Sequence, residues 1–331
     1  MPLNWFFKDQ LKAFDMWLRY GADKHIPPQQ LPVVLQVLLS QQYRVEALKL
    51  LARFLDLGAW AVGHALTVGI FPYMLKLLQS GLKDLRQWLA FIWAKILAVE
   101  PTCQADLVKD KEQGYLYFIT ILNDISVSPW HKIASAFVTA AIIHNDYSPA
   151  QDVLSTNGYI SICVELLSGS AIEKCRLLKL WVLIGLGRLW SGHDKARWQA
   201  IRLVAHDRVM DCLDNVVPEI RAAAMYALGC LVRNRSESDE HASSVDHEIC
   251  ERIATKCMYE GSVLVRAELV VALQWFIIDF EQHFANIYLE LNKKIAKRKI
   301  FLRGFTDDKT VLDRSEPRRP VRRSNYGRKF S

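Results

Sequence analysis

The chain has 331 residues, with 42 Lys plus Arg against 35 Asp plus Glu and a formal charge of +7. Hydrophobic residues make up 51% and charged ones 23%, which excludes wholesale disorder and suits one or two domains or an extended repeat array. The charge is unevenly placed: residues 293–331 sum to +10 and the remainder to −3, so the excess makes no case for nucleic acid as a partner of the folded part.

Residues 1–30 read as an N-terminal helix leading into the body of the chain, with no basic segment ahead of an apolar core of the secretory kind. Leu57 to Leu75 runs for 19 residues without a formal charge, but Gly58, Gly63, His64, Gly69 and Pro72 interrupt it. That pattern predicts two short buried helices rather than a membrane span. Leu85, Trp88, Leu89, Ile92, Trp93, Ile96 and Leu97 then mark one wide apolar helical face. Gly69 and Gly158 each stand before a helix and predict a steep bend between it and the helix before. The blocks Leu178–Leu189, Ala222–Val232 and Leu269–Phe280 keep the helical spacing, whereas Arg233–Asp246 is polar and reads as a mobile loop. Beyond about Lys299 the periodicity gives way to arginines and prolines. A solenoid over 31–292 and a basic, largely disordered tail over 293–331 follow from this.

The helical faces are copies of one another. Aligning helices that open on a basic residue picks out Arg44, Arg86, Lys132, Lys179, Arg221 and Arg266, at steps of 42 to 47 residues. A period in the forties with two or three helices per unit is the armadillo/HEAT signature, so the expected fold is an all-α solenoid of about six repeats. One such unit cannot bury its apolar face alone, and stacking makes the core continuous.

Little in the chain points to catalysis. Phosphate-binding glycine loops, His-Glu-x-x-His and Gly-x-Ser-x-Gly are absent, and no cofactor or small-molecule substrate is expected. His241, Asp246, His247 and Cys250 match no usual zinc spacing, so no metal site is expected there. His193-Asp194 and His206-Asp207 are adjacent pairs, which on a helix do not face each other, and they read as surface positions or caps. Trp88, Trp93, Trp181 and Trp190 sit on apolar faces as core residues. The seven cysteines contain no Cys-x-x-Cys and read as reduced, mostly buried thiols. The basic tail is open to three readings: a solvated arm, a nuclear-import or nucleic-acid segment through Arg318–Arg323, or a phosphorylated stretch at Ser315, Ser324 or Ser331. A generic adaptor or cargo carrier with a basic targeting arm is therefore one functional reading.

The other comes from particular words. Pro27–Gln41, Leu50–Val62, Val68–Ser80, Phe91–Val99, Cys103–Asp110, Ala196-Arg-Trp198, Val245-Asp-His247 and Glu268–Leu273 resemble, in the same order, the helical-repeat region of the Raptor family, regulatory partners of the TOR kinase. The similarity covers about residues 4–290; the caspase-like and WD40 domains that flank the repeats in that family are not in this sequence. The resemblance implies a non-catalytic scaffold of TOR complex 1 that meets TOR kinase and Rag-type GTPases, cytoplasmic and recruited to the lysosomal surface. It also implies candidate GTPase contacts at Arg202, Asp239 and Glu240. Ser324-Asn-Tyr-Gly327 resembles a Ser-Ser-Tyr-Gly stretch of the family's linker and makes Ser324 the implied phosphosite, although Val321 stands where that site has an arginine.

Overall fold

A computed structural model describes residues 3–109, 113–169, 172, 175–233, 240–257 and 260–279, with further residues between 281 and 297. The chain divides into two units, Met1–Asp279 and Phe280–Ser331. The described residues of the second unit are helical, and the extension expected over 300–331 lies outside them. Among the described residues there are helices and turns and no strand.

Within the first unit the helices come in threes. The first triplet is α1 (Leu3–Tyr20), α2 (Leu31–Val37) and α3 (Arg44–Leu55), and the second is α4 (Ala59–Val68), α5 (Phe71–Leu78) and α6 (Arg86–Val99). Then come α7 (Gln104–Val108), α8 (Gly114–Asn123) and α9 (Pro129–Ile142), followed by α10 (Ser148–Thr156), α11 (Tyr159–Ser168) and α12 (Arg176–Trp190). The fifth is α13 (Asp194–Arg202), α14 (Ala205–Asp211) and α15 (Pro218–Val232); the last comprises α16 (Glu240–Cys257) and α17 (Val263–Asp279). Each third helix packs on the next, α3 on α6, α6 on α9, α9 on α12, α12 on α15 and α15 on α17. The protein is an all-α solenoid of the armadillo/HEAT type with about six repeats.

The uncharged stretch from Leu57 forms two helices, α4 and α5, bent by 88° at Gly69. Gly69 ends α4 at φ 91°, a left-handed conformation that residues with a Cβ rarely adopt. No single described helix is long and apolar enough to cross a membrane. The polar stretch Arg233–Asp246 departs from expectation: α16 already starts at Glu240, so its second half is helix, carried by the apolar face of Val245, Ile249 and Ile253.

The basic residues Arg44, Arg86, Lys132, Arg221 and Arg266, at the starts of third helices, have a structural use. Arg44 donates to the carbonyls of Leu38 (2.8 Å) and Leu39 (3.3 Å) at the end of α2, and Lys132 donates to Leu122 of α8 (3.0 Å). Arg221 reaches the carbonyls of Asn215 (2.8 Å) and Val216 (3.2 Å), and Arg266 those of Glu260 (3.2 Å) and Gly261 (2.9 Å). At Leu38 and Leu122 these are helix-end carbonyls, which have no intrahelical partner, and a cation beside them also meets the negative end of the helix dipole.

Two of these residues reach into the next repeat as well. Arg86 donates to Asp124 (3.0 Å), whose other oxygen accepts from the Ser126 amide (2.9 Å) and hydroxyl (2.6 Å). Arg221 holds Glu260 through two parallel bonds of 2.8 and 2.7 Å, and Glu260 accepts from the Ser262 amide at 2.7 Å. The guanidinium bonds hold the Glu260 carboxyl below the usual carboxylate range. Fork-to-fork pairs of this kind fix geometry as well as adding energy.

Small residues set the spacing of the stack. A Cβ on Gly229 of α15 would lie 3.0 Å from Cβ and 3.2 Å from Cα of Ala272 on α17, so the two helices touch backbone to backbone there. We expect Gly229→Leu to force α15 and α17 apart and to destabilise the last repeat by about 1–3 kcal/mol or more. Urea unfolding followed by circular dichroism would show this as a lowered midpoint.

Candidate protein-docking surface

The histidines of the two His-Asp pairs are buried and engaged in structure. His193 caps α13: its Nδ1 accepts from the Ala196 amide at 3.2 Å, so Nε2 carries the proton and faces Asp152 Oδ1 at 3.1 Å. It is a cap, as its sequence position allowed, but a buried one. His206 is buried too, and its Nε2 lies 3.4 Å from Asp207 Oδ1. Here the expectation that neighbours on a helix face apart fails: the two side chains meet in the first turn of α14. Burial pushes the thiols of Cys103, Cys230 and Cys250 up to about 11 and that of Cys163 to about 12. Such thiols are neutral and unreactive near pH 7.

Of the possible metal ligands, Asp246 has a different task. It is fully buried on α16 and accepts from Arg197 Nη2 of α13 at 3.2 Å, while Arg197 Nε donates to the Leu231 carbonyl at the end of α15 (3.1 Å). Arg197, 1% exposed, thereby joins three helices. Among the described residues no group of three or more His, Cys, Asp or Glu is placed to hold a metal ion. The sequence had offered these two residues only as members of separate words, Ala196-Arg-Trp198 and Val245-Asp-His247. A charged residue inside each apolar helical face was the available sign that they meet.

This buried pair holds α16 beside α13 and α14, and a groove of about 780 Å³ opens alongside. Arg202, exposed, is the last residue of α13. Leu203 and Val204, 38% and 49% exposed, follow it directly and line the groove with Val164 and Met210. Val204 has φ 52°, a left-handed conformation that strains a β-branched residue, so the turn is held by its surroundings against local preference. Asp207, Asp211, Glu248 and Glu251 supply the acidic lining and Arg208, Arg252 and Lys256 the basic one. The cations are internally paired: Arg208 with Asp211 (3.7 Å), and Arg252 (2.9 Å) and Lys256 with Asp214. Exposed apolar residues beside charges of both signs suit a protein partner. Of the other candidate contacts, Glu240 is the first residue of α16, and Asp239 and Ser324 lie outside the described residues.

No protein-family model matches the chain. It is 40% identical over 296 residues to "Regulatory-associated protein of TOR 2" of Oryza sativa subsp. japonica, covering 86% of this chain and 22% of that protein. It is 44% identical over 238 residues to "Protein raptor homolog" of Dictyostelium discoideum, covering 72% and 15%, respectively. With "Target of rapamycin complex 1 subunit mip1" of Schizosaccharomyces pombe it shares 38% identity over 291 residues, covering 86% and 22%. The crystal structure of Chaetomium thermophilum Raptor superimposes with a TM-score of 0.79 at 34% identity, over 89% of this chain and 27% of that one. A designed armadillo repeat protein, 18% identical and with a TM-score of 0.59, shares the fold. The chain thus spans about a fifth of the length of the curated relatives it matches.

Removing one member of the buried pair strands the other. We expect Asp246→Ala to cost about 3–5 kcal/mol, and Arg197→Met with Asp246→Leu to recover most of it. Denaturant melts of the three proteins would measure both.

Proposed function

This chain corresponds to a stretch of the Raptor family, and on that ground we propose that it is a non-catalytic scaffold segment of TOR complex 1. The observation that carries the reading is the identity to target of rapamycin complex 1 subunits, 38% and 33%, over most of the chain. The proposal extends to its partners: the solenoid docks on TOR kinase and on Rag-type GTPases, in the cytoplasm and at the lysosomal surface, and so couples nutrient status to growth. Support for docking comes from the groove beside Arg202, whose apolar lining and surrounding charges suit a protein rather than a small substrate. Non-catalytic work is supported by buried, unreactive thiols and by histidines held in capping and packing positions.

The test uses the whole chain, purified, against immobilised TOR kinase and Rag-type GTPases. We expect both to bind. Arg202→Asp should weaken the GTPase interaction roughly tenfold, mainly through a slower association rate, and leave TOR kinase binding unchanged. Deleting 300–331 should preserve both interactions. Failure to bind either partner would sink the proposal, and binding that requires the basic tail and vanishes at high salt would favour the adaptor reading.

A further inference from the structure

Of the 11 prolines, two follow a serine and none follows a threonine: Ser128-Pro129 and Ser148-Pro149. The same dipeptide therefore opens α9 and α10, but in two different backbone settings. Ser128 precedes α9 with φ −63° and ψ 150°, the extended conformation that a following proline favours. Its hydroxyl makes no capping bond to the helix. Around it Ile125 is 96% and Trp130 73% exposed, and Ser126, Ser128 and Pro129 are exposed as well. Ser148, by contrast, is already the first helical residue of α10. Gln151 anchors that first turn by donating to the carbonyls of Arg188 (3.0 Å) and Ser191 (2.8 Å) at the end of α12.

A protein kinase takes its acceptor serine in an extended stretch of chain, and a proline after the serine offers no N–H to that site. Ser128 meets the first condition as it stands. Ser148 meets it only after a turn tied to α12 unwinds.

The turn that carries Ser128 is joined to the start of α6 on both sides. Before Ser128, Asp124 accepts from Arg86 at 3.0 Å; after it, His131 Nε2 lies 3.3 Å from Gln87 Oε1. Lys132 is close to the same turn: burial lowers its ammonium and the Asp124 charge pushes it back up. A phosphate on Ser128 brings nearly two negative charges and three acceptor oxygens to this joint, beside one carboxylate and two cations. Of the two cations, the Arg86 guanidinium has the planar fork that phosphate oxygens fit.

We propose that Ser128 is the acceptor site of a proline-directed protein kinase, and that its phosphate sits against Arg86 at the joint between the second and third repeats. In the transfer, the Ser128 Oγ–P bond forms as the γ-phosphorus of ATP parts from the β–γ bridging oxygen. ADP leaves, and the hydroxyl proton passes to the kinase's catalytic aspartate.

The experiment incubates the full chain with ATP and a cyclin-dependent kinase and maps the phosphate by mass spectrometry. The rate at each serine is divided by the rate on the matching synthetic peptide, 122–134 or 142–154, so that folding alone separates the two sites. We expect this ratio to be at least about tenfold higher for Ser128, because the first turn of α10 must open before Ser148 can react. Ser128→Ala should remove the main product and leave the melting curve unchanged. Equal or inverted ratios, or no phosphate on peptide 122–134 or on the native chain, would overturn the proposal. Urea unfolding of the phosphorylated protein tests the place of the phosphate. The modification should lower the midpoint more in Arg86→Met than in the wild type, since without the guanidinium it meets Asp124 uncompensated. Equal shifts in the two proteins would overturn the contact with Arg86.

Discussion

The solenoid depends on a cation at the first turn of each third helix. In four of the six repeats that cation closes the turn behind it by donating to carbonyls of the preceding helix end or connecting segment, and Arg86 and Arg221 also grip a carboxylate in the following repeat. The gripped residues have the same local form. Asp124 and Glu260 each accept from the amide two residues on, as Asn215 does from Val217, so the carboxylate is oriented before the arginine arrives. Apolar stacking supplies the driving force for repeats to associate, but it is non-directional. The cation and its acceptors add direction, which fixes where one third helix starts relative to the next.

Much of this was legible in the sequence because it is periodic. The opening residues from Arg44 to Arg266 could be aligned with no structural knowledge, and the glycine at 69 announced its own bend. What the sequence withheld was contact between distant residues. Arg197 and Asp246 were visible as parts of two words and not as one buried pair, because 49 residues separate them and no periodic rule joins them. Local patterning also misled in two places. The polar composition of 233–246 concealed the start of α16, whose helical face shows only from Val245 onward, and His206 meets its neighbour Asp207 although ideal-helix spacing sets adjacent residues apart.

The same accounting bears on function. Side chains that could attract attention as catalysts, His193, His206, Asp246 and the buried cysteines, act in capping, packing or ion pairing. Among the described residues, one surface that stacking does not use is the strained turn after Arg202 with its mixed-charge groove. Relatives described as target of rapamycin complex 1 subunits share most of this chain at 33–38% identity, and a scaffold reading asks nothing of the residues beyond holding such surfaces in fixed register.

That register is the central physical claim, and native-state hydrogen exchange on Arg86→Met tests it most directly. Arg86 lies in the second repeat, but its carboxylate partner Asp124 lies in the third. The account predicts that amides around Asp124–Ser128 and the first turn of α9 lose protection although no residue there has changed. Loss confined to the second repeat, or no loss at all, would contradict it.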